Sequence, residues 1–147
     1  MASFTIVRRI QAPPQTVFDV LTEHHLYAKI TPLRRSVLER EGDPAPNGVG
    51  AVRALTSVGP PLREEVVAYQ PPSRFSYKLL SGAPVRDHVG TVELSAEGAG
   101  TKMVYAVHTM PTVPVGGGLV VAVVKQGIQT LVRGIAKESE RRAADAR

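Results

Sequence analysis

Six stretches with alternating or mostly apolar side chains lie between residues 36 and 109, separated by a few turn-forming residues. Glycine and proline dominate these separators because their backbone preferences suit tight turns. Connections this short join antiparallel neighbours. Together with one earlier strand, the pattern predicts seven strands, over 3–11, 36–41, 51–58, 62–70, 74–80, 86–96 and 101–109.

Helical patterns flank this run of strands. Pro13 and Pro14 suit the first turn of a helix, where a missing amide hydrogen leaves no bond unmade, and a second short helix is predicted over 25–30. The C-terminal region has apolar side chains at helical spacing, from Val121 to Ile135, opposite a polar face. It predicts a long amphipathic helix, and the whole chain therefore has an α+β pattern.

The start of that helix, VPVGGGLVVAVV at 113–124, has three possible interpretations: a membrane segment, a phosphate loop or a helix start that covers something apolar. The run ends at Lys125, short of the roughly 20 apolar residues that span a membrane. The lysine and hydroxyl that follow a phosphate-binding glycine loop are missing. We therefore expect a helix covered by something other than water. Gly127 and Gly134 then mark either close packing or deliberately open space.

Composition restricts the function further. The 147 residues suit one domain over 1–147, and the absence of cysteine excludes disulfides and thiolate chemistry, which fits a cytoplasmic setting. A net charge of +5 raises nucleic acid as a partner, but the basic residues are scattered among acidic ones. We expect no nucleic-acid partner, no secretory signal and no membrane insertion.

The turns predict which side chains share the inner face of the sheet, provided that the register is right. A turn centred on Pro72 sets the register between strands 62–70 and 74–80. Turns centred on Pro60 and Ala99 set the register between 51–58 and 62–70 and between 86–96 and 101–109. The predicted inner face is mostly apolar, with Val92, Leu94, Val104, Ala106 and Met110 among its members. Its polar groups and aromatic residues are Arg53, Glu65, Tyr69, Phe75, Tyr77, His88 and His108, with Leu55 beside Arg53.

Two pairs among these residues suggest chemistry. Arg53 and Glu65 are expected to form an ion pair inside the sheet, or at its rim, or to be solvated if the register is off by one. His88 and His108 are expected on one face, where neutral imidazoles could contact a ligand, move a proton or simply pack. No third metal ligand, serine triad or pair of facing carboxylates is evident, so we expect no metal and no cofactor.

Several segments together resemble the START and pollen-allergen superfamily, also called SRPBCC, and particularly its polyketide cyclase/dehydrase and lipid-transport branch. They are IQAPPQTVFDVLT, GVGAVR, REEVVAYQPPSRFSYKLLSG and PVRDHVGTVEL, and the resemblance covers about residues 3–142. It implies a helix-grip fold, in which a curved seven-stranded antiparallel sheet wraps around the long C-terminal helix, with two short helices after the first strand. It also implies an apolar cavity between sheet and helix.

The resemblance implies a carrier for a small hydrophobic molecule such as a lipid or polyketide. The alternative is a cyclase or dehydratase in which His88 or His108 acts as acid or base and Arg53 polarises a carbonyl. A homodimer is possible. The expected ligand-binding residues are Arg53, Leu55, Glu65, Tyr69, Phe75, Tyr77, His88, His108, Val120, Val124 and Gly127.

Overall fold

A computed structural model describes residues 2–147. Its strands are β1 (Ala2–Ile10), β2 (Arg35–Arg40), β3 (Val52–Thr56), β4 (Leu62–Gln70), β5 (Arg74–Ser81), β6 (Val85–Glu97) and β7 (Gly100–Pro111). Its helices are α1 (Pro14–Thr22), α2 (Tyr27–Ile30), which follows a 3-10 turn at His24–Leu26, and α3 (Gly117–Asp145). The predicted order of elements is confirmed.

All seven strands form one antiparallel sheet in the order β1-β7-β6-β5-β4-β3-β2. The long helix α3 packs against this sheet, and α1 fills the space between the helix and one end of the sheet. Phe18 lies at the centre of that end, with its ring centroid 5.3 Å from that of Tyr69 and 6.4 Å from that of Phe75. This end of the interior is solid.

Local sequence explains how α1 and α3 begin. Pro13 has an extended backbone and Pro14 opens α1, so the two prolines act as the sequence predicts. Gly116 precedes α3 with a φ of 85°, a left-handed conformation that glycine adopts without a steric penalty. At the other end of α3, Arg142 binds Glu23 at 2.9 Å and fixes the helix to the end of α1.

The apolar character of α3 was underestimated from the sequence. At 29 residues it is long and apolar enough, by length and composition alone, to cross a membrane. In the fold, however, Ile128, Val132 and Ile135 of this helix are buried against the sheet and α1. It is the core helix of the fold.

Two irregularities change the predicted facing of side chains. The pairing of β4 with β5 shifts between Val66 and Ala68, so Val67 forms a bulge. The turn at Pro72 is where the sequence places it and Tyr69 does face inward, but beyond the bulge the parity reverses. Glu64 and Val66 are therefore buried, whereas Glu65, which was predicted to face inward, and the bulged Val67 face outward.

The last hairpin differs in the same way. Glu97 pairs with Gly100, so the turn contains two residues and not the three assumed from a centre at Ala99. A change of one residue reverses every side chain of a strand. The inner face of β7 therefore consists of Met103, Tyr105, Val107 and Thr109. His108 faces outward, where its Nδ1 lies 3.0 Å from Ser3 Oγ, and the predicted pairing of His88 with His108 on one face is wrong.

Two of the four glycines of α3, Gly127 and Gly134, have different environments. A Cβ atom at Gly134 would lie 2.3 Å from the carbonyl oxygen of Ile30, which identifies a close approach of α2. A Cβ atom at Gly127 would meet nothing within 4 Å. Gly134 therefore lies at a close contact with α2, and Gly127 borders open space.

This contrast predicts opposite effects of the same substitution. Gly134→Ala should lower the free energy of unfolding by about 1–3 kcal/mol through overpacking, whereas Gly127→Ala should raise it by up to about 1 kcal/mol through helix propensity. Urea denaturation of the two variants measures both changes. Equal effects would contradict the close contact at Ile30.

His24 connects the 3-10 turn to the sheet. Its side chain is only 2% exposed, and its Nδ1 lies 3.0 Å from Ser36 Oγ on β2. Burial lowers the pKa of His24 to about 4, and the charges of Arg53 and His25 act in the same direction. The folded protein therefore keeps this imidazole neutral.

The protein should lose stability as the pH falls from about 6.5 to about 4. In this window the unfolded chain binds a proton at His24 that the folded protein does not bind, so the free energy of unfolding increases with pH, by up to about 3 kcal/mol across the window. His24→Asn should remove much of this dependence in urea titrations at several pH values. The exposed neighbour provides the control, because His25→Asn removes only a minor contribution to the lowered pKa of His24 and should reduce the slope far less.

Candidate functional site

A cavity of about 420 Å³ lies between α3 and the strands β3 to β7. Most of its wall is aliphatic, with contributions from Leu33, Leu55, Leu62, Leu79, Val85, Val124, Ile128 and Leu131. The cavity begins where the solid packing around Phe18 ends. The interior is therefore divided into a packed half and an open half.

The cavity reaches the surface at one end of the sheet. The exposed residues in its wall are Pro32, Ser57, Val123 and Gly127, which come from the segment after α2, the turn after β3 and the first half of α3. We call this opening the mouth. A small molecule could enter there without separating α3 from the packed half.

A row of polar side chains crosses the wall that the sheet contributes. We call it the polar row, and its members, from β3 to β7 in order, are Arg53, Glu64, Tyr77, His88 and Tyr105. Each comes from a different strand because each inner position of this sheet lies next to an inner position of the neighbouring strand. The apolar cavity thus has one polar side.

Arg53 is the most deeply buried charge in the row, with 2% of the residue exposed. Its Nε donates to Glu64 Oε1 at 3.1 Å, and its guanidinium carbon lies 5.2–5.5 Å from the ring centroids of Phe75, Tyr77 and Tyr27. These aromatic faces attract the cation. Its Nη1 is buried and has no hydrogen-bond partner among residues 2–147.

Tyr77 and Tyr105 lie beyond the ion pair. Their hydroxyl oxygens are 2.5 Å apart. The ring of Tyr77 reaches Tyr105 by crossing β6 at Gly90, where an added Cβ atom would lie 2.5 Å from the ring. Glycine at this position is what allows the two hydroxyls to meet.

His88 completes the polar row beside Tyr77, with their ring centroids 6.2 Å apart. Its Nδ1 lies 3.0 Å from the hydroxyl of Thr109. Nε2 has no hydrogen-bond partner among the described residues. Because His88 lines the cavity, this second nitrogen is free for a bound molecule.

Burial sets the protonation states of the row. It raises the pKa of Tyr77 and Tyr105, and it raises the pKa of Glu64 although the charge of Arg53 opposes this. It lowers the pKa of His88. Near neutral pH the two phenols are therefore hydrogen-bond donors and the imidazole is uncharged.

The row has hydrogen-bond donors without acceptors. Two tyrosine hydroxyls share one hydrogen bond, so one hydroxyl hydrogen is left over, and Arg53 Nη1 adds further N–H groups. A buried donor without an acceptor costs free energy. Arg53, Tyr77 and Tyr105 all line the cavity, so an acceptor oxygen of a bound molecule would be placed on this polar side.

Six of the eleven residues expected to bind a ligand line the cavity: Arg53, Leu55, Tyr77, His88, Val124 and Gly127. Five do not. Tyr69 and Phe75 belong to the packed half, Glu65 forms ion pairs on the outer face with Arg40 and Lys78, and His108 is also on that face. Val120, on α3, is half-buried outside the cavity wall.

Three buried polar residues of the site were missed from the sequence: Glu64, Tyr105 and Tyr27. Glu64 and Tyr105 were assigned to the wrong face because of the bulge and the two-residue turn. The segment Gly98-Ala99-Gly100 also fits a two-residue turn made of Gly98 and Ala99. That shorter turn would have predicted Tyr105 on the inner face of the sheet. The alternation of side chains along the strands could not have predicted Tyr27, because this residue lies on α2.

Comparison with solved structures identifies the architecture. Ara h 8.0201 superposes with a TM-score of 0.76 at 19% identity, covering 92% of this chain and 95% of that one. A START superfamily protein from Mycobacterium smegmatis gives 0.71 at 14% identity, covering 99% of both chains. The di-domain ARO/CYC StfQ from the steffimycin biosynthetic pathway gives 0.78 at 15% identity, covering 97% of this chain and 51% of that one.

At these identities the similarity establishes the fold alone, which is the helix-grip fold expected from the sequence. No curated protein matches the chain in sequence. The family described as polyketide cyclase/dehydrase and lipid transport matches residues 1–140, nearly the whole chain. The chain therefore belongs to this family, within the START-like SRPBCC superfamily.

Proposed function

We propose that the protein binds and carries a small hydrophobic molecule that has at least one acceptor oxygen. The observation that carries this proposal is the 420 Å³ cavity with apolar walls and one polar side. Its volume falls within the roughly 300–1,000 Å³ typical of small-molecule sites. The apolar body of the ligand would contact the aliphatic side chains of the cavity wall.

The polar row supports a preference for the orientation of the ligand. Arg53 Nη1 and the spare tyrosine hydrogen both need an acceptor. A carbonyl or carboxylate oxygen would supply one, whereas a plain hydrocarbon would leave both groups unsatisfied. The oxygen of the ligand therefore points to the sheet, and its hydrocarbon part points to Val124, Ile128 and Leu131 of α3.

Blocking the cavity should abolish binding without unfolding the protein. Gly127→Leu places a side chain at the cavity wall, where no atom lies within 4 Å of the added Cβ, and leucine favours the helix. We expect the Kd for cis-parinaric acid, a fluorescent fatty acid, to rise at least ~10-fold, equivalent to about 1.4 kcal/mol.

Gly118→Leu is the matched control, because Gly118 also has open space around it in α3 but does not line the cavity. It should bind the probe as the unmodified protein does. The probe should also raise the Tm of the unmodified protein and of this control. Equal affinities in both leucine variants would refute binding in this cavity.

A second candidate function is cyclisation or dehydration of a poly-carbonyl substrate in the same cavity. The observation that favours it is the free Nε2 of a neutral imidazole, His88, near the donors of Arg53 and Tyr77. A neutral imidazole can accept a proton from an activated carbon. His108 contributes nothing to this function, because it faces the outside of the sheet.

The carrier proposal predicts that a linear tri-ketone probe is recovered unchanged after incubation with the protein, as measured by mass spectrometry. Loss of one water from the probe, abolished by His88→Asn, would instead establish the enzyme and overturn the carrier proposal. His108→Asn is the matched control, since it removes an imidazole on the outer face. Probe binding by both variants shows that they are folded.

A further inference from the structure

Large apolar side chains are exposed around the mouth. Val58 is 89% exposed, Val115 85%, Leu119 71% and Val123 64%. We call these four residues the apolar rim. Scattered exposed apolar residues are common on protein surfaces, but exposed apolar residues grouped around the opening of a cavity indicate an interaction site.

The segments that carry the rim adjoin one another. An added Cβ at Gly82, in the turn after β5, would lie 2.2 Å from the carbonyl oxygen of Pro61, in the turn after β3 that also holds Val58. Thr112 N donates to the carbonyl of Pro84 at 2.9 Å, which joins the end of β7 to the turn after β5. Since α3 starts five residues later, all these segments gather at one end of the sheet.

The first half of α3 consists mostly of apolar residues, but other parts of the protein bury little of its surface. No residue of α3 before Ile128 is fully buried, and Leu119 and Val123 are mostly exposed. The last turns of the same helix are different, because Glu138, Arg141, Arg142 and Asp145 form ion pairs there. The apolar half of α3 faces solvent beside the mouth, and the charged half lies far from it.

Positive charge surrounds the rim. Segments 31–35, 56–63, 80–87 and 111–123 contain four arginines and a single acidic residue, Asp87. Arg34, Arg35 and Arg86 form no ion pair with any described residue; Arg86 contacts only the sulfur of Met110, at 2.9 Å. Arg34 N binds the carbonyl of Thr56, which places these cations next to the turn that holds Val58.

We infer that the rim and its arginines form a docking surface for an anionic lipid membrane. Aliphatic side chains enter the headgroup region of a bilayer while neighbouring cations bind acidic lipids. The contact would be peripheral, and it goes beyond ligand binding in the cavity, since docking needs no bound ligand. It also places the mouth against the membrane, so that an apolar molecule passes from lipid to cavity without crossing water.

Charge argues against a second copy of this chain as the occupant. A two-fold interface would bring the same unpaired arginines towards each other. A protein partner fits less well than a membrane, because the rim is aliphatic and lacks the aromatic residues that dominate protein interfaces. An anionic lipid surface satisfies both the apolar and the cationic residues.

Vesicle co-sedimentation tests this inference on the full chain without ligand. We expect at least ~10-fold tighter binding to vesicles of equal phosphatidylcholine and phosphatidylglycerol than to phosphatidylcholine alone, and weaker binding at high salt. Val58→Ser combined with Leu119→Ser should reduce binding ~10-fold, as should the triple change of Arg34, Arg35 and Arg86 to Gln.

Matched controls change equivalent residues elsewhere. Val7→Ser with Val67→Ser removes two exposed valines far from the mouth, and the change of Arg8, Arg133 and Lys137 to Gln removes the same charge. Losses as large in these controls, equal binding to both vesicle types, or a stable dimer that excludes vesicles would overturn the inference. An unchanged Kd for cis-parinaric acid in the rim variants shows that they are folded, and it separates failure of docking from failure of ligand binding.

Discussion

The buried guanidinium of Arg53 is the constraint around which this interior is arranged. It cannot lose its proton, and its burial is tolerable only with compensation from every side. Glu64 supplies the opposite charge from the next strand, while Tyr27, Phe75 and Tyr77 supply aromatic faces. These partners come from the two strands β4 and β5 and from α2, so the position of α2 over the sheet and the polar row both depend on this one cation.

The two halves of the interior follow different physical rules. Around Phe18 the rings and aliphatic side chains are packed without an opening, which is where the fold gains its apolar stabilisation. Beside Arg53 the fold keeps an apolar cavity, an unsatisfied N–H group and a helical glycine, Gly127, where an added Cβ would have no atom within 4 Å. Each of these features lowers stability, and their concentration at one place is typical of a binding site.

The sequence predicted the fold better than the site. Turn residues and apolar periodicity place every strand and helix, because these signals are local. The facing of side chains is not local, since one extra residue reverses it. No glycine or proline marks the bulge at Val67 in the sequence, so Glu65 was predicted to face inward in place of Glu64. The last turn is one residue shorter than predicted, so His108 was predicted to face inward in place of Tyr105. Arg53 was placed correctly because two errors cancel. The turn after β3 is not centred on Pro60, since Arg53 pairs with Glu64 and does not share the face of Glu65, and the bulge turns Glu64 inward.

The long helix α3 has its most apolar stretch at a place where the fold leaves it exposed. By composition, the stretch before Lys125 is the most apolar part of the chain, and such a stretch normally lies in the core. Its position contradicts this, since Leu119 and Val123 face solvent while the less apolar region after Ile128 forms the core. A soluble helix gains nothing from such a distribution, because exposed apolar surface costs free energy in water. The membrane contact inferred above would make this distribution favourable, because it would place Leu119 and Val123 in an apolar phase at the mouth of the cavity.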